Sequence, residues 1–321
     1  VADDGLSILF GAGSAGKTFL LMQMALSVSR GIEFLGRPTQ KRNVLYIDCE
    51  TGRKTFGYRM RRICNGLGLE QSAANNVFYW WANGIPLEDQ VDAIRRCCEE
   101  NQIGFLCLDH IAAACGGDAS EQAVASRFSR ALGKLNIPMM ALAHITGAAV
   151  TDPEQARKPF GSIFWENNAR RTIFVMRQQE DESPIADLGL YPRKVNDGGR
   201  PAAFGATLTF EDPSGPITVT ETPLRGSSVL SRVRGVQHTI WDALTSAMTV
   251  EEIEEETGLS QRYIKDALRD HPRMFVDLNP EIKGGRGKSK RWGRLEARTP
   301  YTDPADEPRG YGEYEDEPLP W

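Results

Sequence analysis

The chain has 321 residues, of which 40% are hydrophobic and 25% are charged, and its formal net charge is −5. This balance is typical of a soluble globular protein with room for one sizeable domain and a smaller one. No apolar run approaches the roughly 18 residues of a membrane helix, and no signal-like segment follows Val1, so we expect a cytoplasmic protein that does not bind membranes. The six cysteines form no C-x-x-C pair and are predicted to be reduced core residues.

A glycine-rich turn lies between an apolar run, Leu6–Phe10, and a run of helical periodicity, Phe19–Ser29. Its spacing, G-x-x-x-x-G-K-[ST], is that of a phosphate-binding P-loop in the strand–turn–helix context that such a loop requires. Backbone N–H groups and the positive end of the helix would face the phosphates, Lys17 would reach the β- and γ-phosphates, and the Thr18 hydroxyl would ligate Mg²⁺. The residues predicted to hold a nucleoside triphosphate are Gly11, Gly13, Ser14, Ala15, Gly16, Lys17 and Thr18.

Acidic residues follow two later apolar strands. Glu50 comes just after the run Val44–Ile47, and Asp109 ends the run Gly104–Asp109. The carboxyl ends of parallel strands meet at the ligand-binding edge of an α/β sheet. Glu50 could polarise a water there for attack on the γ-phosphate, although an exposed strand-end acid without a catalytic role explains the local sequence equally well. Asp109 would hold the Mg²⁺ shell with Thr18, as such an acid does in P-loop ATPases.

The other predicted elements of this region alternate between helix and strand. Helices are predicted over Thr55–Leu67, Leu87–Glu100 and Ser120–Leu135, and strands over Val77–Trp81, Pro138–Ala143, Thr172–Met176, Gly189–Lys194 and Ala206–Phe210. Such βα units indicate a mainly parallel, doubly wound sheet. His144 would lie at the same edge as Glu50 and Asp109. Two polar stretches, Thr146–Pro159 and Gln178–Leu188, are predicted to be loops.

The composition changes after this α/β region. Residues 213–235 carry several Pro, Gly and Ser residues and are predicted to be a linker. Residues 236–298 look like a winged helix, in which Gly258 would end one helix and Ser260 would cap the next. The helices of this domain are predicted over Val236–Ser246, from Thr249 to the residue before Gly258, and over Gln261–Arg269.

Two charged segments complete the chain. The stretch Lys283–Arg294 has six basic residues and no acid, which suits contact with nucleic-acid phosphates. A solvated loop, or a module that contacts only protein, is the alternative. Residues 299–321 are predicted to be a disordered acidic tail, and its end at Trp321 resembles the tips of single-strand-binding proteins. It suits docking to a replication protein or to the protein's own DNA channel, with a merely solubilising tail as the alternative.

The order of these motifs resembles the RecA-type hexameric ATPases, above all the RepA-type plasmid helicases and more distantly the DnaB-type replicative helicases. The likeness covers Gly5 to about Asp212. It implies a RecA-like ATPase domain over residues 1–212 that binds ATP with Mg²⁺ through Lys17 and Thr18. The roles it implies for the other site residues are catalytic base for Glu50, Walker B acid for Asp109 and sensor for His144.

The resemblance also extends to arginine residues. The stretch Gly161–Arg170 looks like the segment that carries the RepA-type arginine finger, which makes Arg170 the candidate, with Arg171 adjacent. An arginine later in the Glu50 motif falls on Arg59. Residues 193–199 resemble the DnaB-type K-x-R-x-G segment. There Asn196 replaces the arginine, so that Lys194 alone would serve.

By this resemblance the protein would be an ATP-dependent DNA helicase or translocase that acts in DNA replication. Identical subunits would form a ring, expected to be a hexamer, hydrolyse ATP at their interfaces and move along single-stranded DNA. The two predicted loops, Thr146–Pro159 and Gln178–Leu188, would line the channel. Two alternatives stay open: a recombinase-like ATPase that forms filaments on DNA, and an ATP-switched regulator that binds DNA through the winged helix.

Overall fold

The structure, a computed structural model of the chain, describes residues 5–146, 158–161, 163–179, 183–196, 198–199, 201–211, 214–222, 224, 236–272, 274–280 and 289–295. The chain divides into two compact units, residues 1–235 and 236–321. Within the described residues, no helix is both long and apolar enough to cross a membrane.

A nine-stranded sheet forms the centre of the first unit in its described part. The strands are β1 (Leu6–Gly11), β2 (Asn43–Asp48), β3 (Val77–Trp81), β4 (Ile103–Asp109), β5 (Met139–Ala143), β6 (Ala169–Gln178), β7 (Ile185–Val195), β8 (Phe204–Phe210) and β9 (Ile217–Thr222). They lie in the order β3-β2-β4-β5-β1-β6-β7-β8-β9. Neighbours from β3 to β6 are parallel, and those from β6 to β9 are antiparallel. The largely parallel sheet confirms the predicted α/β class of this unit.

Helices cover both faces of this sheet. They are α1 (Lys17–Arg30), α2 (Arg53–Gly66), α3 (Leu87–Glu100), α4 (Ile111–Ala114), α5 (Gln122–Leu135) and α6 (Ile163–Asn168). One apolar cluster contains side chains of α1 and α2, and the other contains side chains of α3 and α5. Two such layers around one sheet bury both of its faces, which explains why all six residues of β1 are buried.

The helix that follows the glycine-rich turn, α1, is the most enclosed of these helices. Eleven of its fourteen residues are buried, because the antiparallel strands at the end of the sheet also pack on it. The Gln23 amide donates a hydrogen bond to the Val219 carbonyl at 2.8 Å, and the rings of Phe19 and Phe210 meet edge to face at 5.2 Å. The P-loop therefore precedes a helix held from several sides.

Two predicted boundaries differ from the structure in the second half of this unit. The predicted loop Gln178–Leu188 is shorter, because β6 continues to Gln178 and β7 begins at Ile185. Its polar residues alternate with buried ones on a strand with one solvent-facing side: Asp187 is exposed and accepts a hydrogen bond from Thr207 on β8 at 2.8 Å. Likewise β6 begins at Ala169, so that Arg170 lies on a strand.

The predicted linker, residues 213–235, is wrong in its first part. Residues 217–222 form β9, which pairs with all seven residues of β8 except Phe204. Ile217 and Val219 are buried against the core, while the threonines and Glu221 between and after them give the strand the polarity of a loop. Leu224 is also buried, so the first unit extends beyond residue 212.

The second unit contains three described helices and a two-stranded ribbon. The elements are α7 (Val236–Ala243), α8 (Val250–Thr257), α9 (Gln261–Asp270), β10 (Phe275–Asp277) and β11 (Trp292–Arg294). Thr249 and Glu252 form a reciprocal capping box at the start of α8, and Gly258 ends that helix in the left-handed conformation, with φ of 67°. Ser260 precedes α9 as predicted, but its side chain makes no capping hydrogen bond.

Cations of the predicted basic stretch contact their own unit. Lys290 pairs with Asp277, Arg291 pairs with Glu252 at 3.1 Å, and the Arg294 guanidinium lies 5.9 Å from the centre of the Trp241 ring. The Lys290 pair therefore joins the two sides of the ribbon, while Arg291 and Arg294 hold the ribbon to the helices. The other three, Lys283, Arg286 and Lys288, lie outside the described residues, as do most of the predicted loop Thr146–Pro159 and the whole tail.

Candidate active site

The carboxyl ends of four central strands meet at one edge of the sheet, here called the carboxyl edge. In the register of the sheet, Asp48 lies beside Asp109, and Phe10 lies beside Ala143. The P-loop, Glu50 and His144 follow directly on these strand ends. The structure thus brings together the predicted P-loop, Glu50, Asp109 and His144, but not Arg170 or Lys194.

Close packing explains two glycines of the P-loop, and open space explains a third. A Cβ at Gly11 would lie 2.4 Å from the Val175 carbonyl oxygen. Gly16, the residue before α1, has φ of 82°, a conformation that favours glycine, and its Cβ position lies only 3.2 Å from Leu208 Cδ2. Gly13 has no neighbour within 4 Å of its Cβ position, and the loop borders a cavity of about 400 Å³. The backbone can therefore come close to a phosphate group there.

The amine of Lys17 lies inside the curl of the loop. It donates hydrogen bonds to the carbonyl oxygens of Gly11 at 3.0 Å and Ala12 at 2.6 Å. Burial lowers the pKa of Lys17 to about 8, although the nearby carboxylates of Asp109 and Glu50 act in the opposite direction. A bound polyphosphate would stabilise the charged amine, so nucleotide binding and protonation of Lys17 favour each other.

The hydroxyl of Thr18 and the carboxylate of Asp109 form the candidate Mg²⁺ site. Thr18 Oγ1 donates to Asp109 Oδ2 at 3.0 Å, and the Tyr46 hydroxyl donates to the same oxygen at 3.0 Å. Burial raises the pKa of Asp109, and the two hydrogen bonds oppose that shift. One hydroxyl and one carboxylate fit Mg²⁺, which takes its remaining ligands from phosphate and water.

Asp48 organises the segment that carries Glu50. It is almost fully buried and accepts hydrogen bonds from the three consecutive amides of residues 50–52, at 2.9 to 3.0 Å. The hydroxyls of Thr51 and Tyr79 donate to its Oδ2 at 3.1 and 3.0 Å. Asp48 was missed as a functional residue, although an aspartate that precedes a turn commonly binds the amides that follow it.

Two histidines lie beside the Glu50 carboxylate. Glu50 Oε2 is 4.0 Å from His110 Nε2, and the Glu50 side chain is 55% exposed, which leaves room for a water. The ring of His110 meets that of His144 edge to face at 4.7 Å. Burial lowers the pKa of His144, and the charges of Lys17 and His110 lower it further, while Glu50 acts in the opposite direction. His110 was not predicted; its position after Asp109 was the available signal.

Arg177 brings a further cation to the P-loop that the sequence did not reveal. It lies near the end of β6 and donates to the Ser14 carbonyl oxygen at 2.6 Å and to the Gln179 side chain. Arg59, on α2, contacts α1: its guanidinium is 5.5 Å from the centre of the Phe19 ring. Arg59 therefore packs against the core helix.

Arg170 lies at the opposite edge of the sheet, here called the amino edge. Its neighbour Ala169 pairs with Leu6, the first residue of β1, and Arg170 Cγ lies 3.4 Å from the Cβ position of Gly5. With about 3.3 Å per strand residue, five residues of β1 separate it from the P-loop by about 16 Å. Lys194 is at this edge too, and donates to the carbonyl oxygens of Glu166 and Asn167 at the end of α6, at 2.8 and 3.0 Å.

Residues 1–159 match the family model described as the AAA domain. The matched residues make up just under half of the chain and are similar to that domain family. No curated protein matches the chain. Among solved structures, a KaiC-like protein from the hyperthermophilic archaeon Pyrococcus horikoshii OT3 is 13% identical, with a TM-score of 0.48 over 68% of this chain and 89% of that chain.

Proposed function

We propose that the protein is an ATP-driven DNA helicase or translocase of the RecA-like hexameric type that acts in DNA replication. ATP hydrolysis is its chemical step. The observation that supports this step is that the Lys17 amine, the Thr18–Asp109 pair and the Glu50 carboxylate converge on the open side of the P-loop. These are a phosphate partner, a metal site and a base at a single edge.

The side chains divide the work of hydrolysis between them. Mg²⁺ held by Thr18 and Asp109 would neutralise charge on the β- and γ-phosphate oxygens. Lys17 binds the same oxygens as a cation. Glu50 accepts a proton from a water whose oxygen bonds to the γ-phosphorus, while the bond from that phosphorus to the leaving ADP oxygen breaks. Asp48 holds the Glu50 backbone in place, and His144 is the sensor candidate at the same edge.

The position of Arg170 supports assembly of subunits head to tail. An arginine finger stabilises charge on the transferred phosphoryl group, and Arg170 is too far from its own P-loop to do so. In a heterologous interface, the amino edge of one subunit meets the carboxyl edge of the next, and a rotation that closes gives a ring. Each active site would then contain Arg170 from a neighbour.

The second unit supports a DNA-binding role as a winged helix. The described cations of β11 and the residues before it already contact Asp277, Glu252 and Trp241. The exposed side of α9 carries Arg262, Tyr263 and Lys265, and Tyr263 is 61% exposed. DNA contact by this unit would therefore fall first on α9.

The experiment that tests this function combines three measurements on the full chain with ATP: hydrolysis with and without single-stranded DNA, unwinding of a forked duplex, and electron microscopy of the particles. Stimulated hydrolysis, unwinding and closed rings are expected. Filaments that do not unwind DNA would indicate the recombinase-like alternative. Binding to one defined double-stranded sequence without unwinding would indicate the regulator.

A further inference from the structure

Helix α2 carries more basic side chains than the other described helices that pack on the central sheet. Its fourteen residues contain five basic side chains and no acidic one. Helix α3 has the same length and covers the other face of the sheet, but has five acidic and two basic side chains. The basic residues of α2 are Arg53, Lys54, Arg59, Arg61 and Arg62.

The exposed part of α2 keeps its positive charge uncompensated. Arg53, Lys54 and Arg61 are exposed, and within the described part of the chain no carboxylate pairs with any of them. Lys54 and Arg61 are seven residues apart, so they lie on one side of the helix, about 10 Å apart along its axis. On α3, in contrast, Arg95 pairs with Asp92 and Glu99. The face of α2 therefore attracts a polyanion.

Two exposed aromatic rings accompany these cations. Tyr58 is 40% exposed and lies between Lys54 and Arg61 on the same side of the helix. Trp81, at the end of β3, is 41% exposed, and its ring reaches to 4.0 Å from the Cβ position of Gly52, the residue before α2. Cations interleaved with exposed rings are the arrangement that binds single-stranded nucleic acid, by phosphate contact and base stacking.

The backbone connects this face to the catalytic base. Asp48 binds the amides of residues 50–52, and α2 begins at the next residue, Arg53. Because a buried carboxylate with five donors holds this segment, the start of α2 and the Glu50 backbone move together or not at all. A ligand that shifts α2 would therefore shift Glu50.

We propose that the exposed basic face of α2, with Trp81, binds single-stranded nucleic acid and thereby controls the position of Glu50. The inference rests on the proposed function, which it deepens: it places a strand contact outside the two predicted channel loops. It also gives the physical route by which nucleic acid would stimulate hydrolysis.

The test uses the full chain with Arg53, Lys54 and Arg61 replaced by Gln. A matched control removes the same charge from the other side of the sheet, through Arg95→Gln, Arg96→Gln and Lys134→Gln. Affinity for a thymidine oligonucleotide is measured as a function of salt, and hydrolysis is measured with and without it. Loss of three phosphate contacts lowers the salt slope by about 2. The α2 variant is expected to have this smaller salt slope and to lose the stimulation of hydrolysis by the oligonucleotide, with basal hydrolysis unchanged. The control is expected to keep the salt slope and the stimulation of the unaltered protein.

Aromatic substitutions give a second readout. Trp81→Ala is expected to weaken oligonucleotide binding about fivefold or more without changing the salt slope. Trp81→Phe is expected to restore the affinity, because it keeps an aromatic ring at this position. Equal slopes for the α2 variant and the unaltered protein would overturn the inference, as would an equal drop in the control. If the unaltered protein itself binds no oligonucleotide, the proposed function fails first, so the two failures are distinguishable.

Discussion

The two edges of the central sheet carry opposite kinds of polar group. At the carboxyl edge, buried carboxylates accept hydrogen bonds: Asp48 accepts five and Asp109 two. At the amino edge, cationic side chains surround a cavity of about 390 Å³. They are Arg37, Arg42, Arg171 and Lys194.

This difference teaches which parts of the chemistry one subunit holds. The carboxyl edge has the P-loop and the candidates for metal ligand and base, all within one chain. The amino edge has Arg170, which cannot reach that site across the length of β1. Under the proposed function, residues of the first edge act in their own subunit and Arg170 acts in a neighbouring one. Each prediction below addresses one side of this division.

The largest effect is expected for Lys17→Ala, which removes the cation that meets the γ-phosphate and should abolish ATP turnover. Phosphate release at saturating ATP measures it. Lys134→Ala, which removes a cation from the other side of the sheet, serves as the control and should retain activity. Substantial turnover by Lys17→Ala would mean that the carboxyl edge does not bind the reacting phosphate.

A lost base should have the next largest effect. Glu50→Gln keeps the shape of the side chain but cannot accept a proton, so turnover should fall by roughly two or more orders of magnitude. Nucleotide binding, measured with a fluorescent ATP analogue, should persist. Near-normal turnover in this variant would move the base to another residue.

The pH dependence of ATP affinity should show the titration of Lys17. Because its pKa is lowered to about 8 and phosphate binds the protonated form, affinity should decrease above pH 8 by up to tenfold per pH unit. Titration calorimetry between pH 7 and 9.5 measures this decrease. Lys17→Arg, whose side chain stays protonated over that range, should give a flat profile; a parallel decrease would assign the titration to another group.

The smallest effect is expected at the amino edge for Lys194→Gln. The variant loses the charged hydrogen bonds to the carbonyl oxygens of Glu166 and Asn167, so the free energy of unfolding should fall by about 1 kcal/mol. Chemical denaturation measures it. If turnover falls with stability unchanged, Lys194 rather than Arg170 would be the residue that acts on a neighbour.

The sequence predicted elements best where the apolar pattern was strong. β3 and α3 have the predicted bounds, Val77–Trp81 and Leu87–Glu100, because flanking turns limit both. β9 was missed because its alternating threonines have the polarity of a loop, and pairing with β8 decides its structure. The limits of β6 and β7 were missed because exposed polar residues, such as Arg170 and Asp187, give the ends of these strands the polarity of a loop too.

Prediction of the site residues also depended on the strength of the local sequence signal. The P-loop, Asp109 and Glu50 could be found because a motif or a strand end marks them. Asp48 and His110 were missed although each had a local signal, namely the turn after Asp48 and the position next to Asp109. Arg177 could not be found, since it acts through the Ser14 carbonyl oxygen, which only folding brings near. Lys290 and Arg291 were likewise expected to contact nucleic-acid phosphates, but they form ion pairs with Asp277 and Glu252.

Mixing of two inactive variants tests the division between the edges most directly. Arg170→Ala subunits should bind ATP but be inactive alone, and Lys17→Ala subunits should also be inactive. In mixed assemblies, some interfaces would pair an intact P-loop with an intact Arg170, so that part of the ATPase activity should return. If no mixing ratio restores activity in assemblies shown to exchange subunits, Arg170 acts within its own subunit or in folding, and the account is wrong.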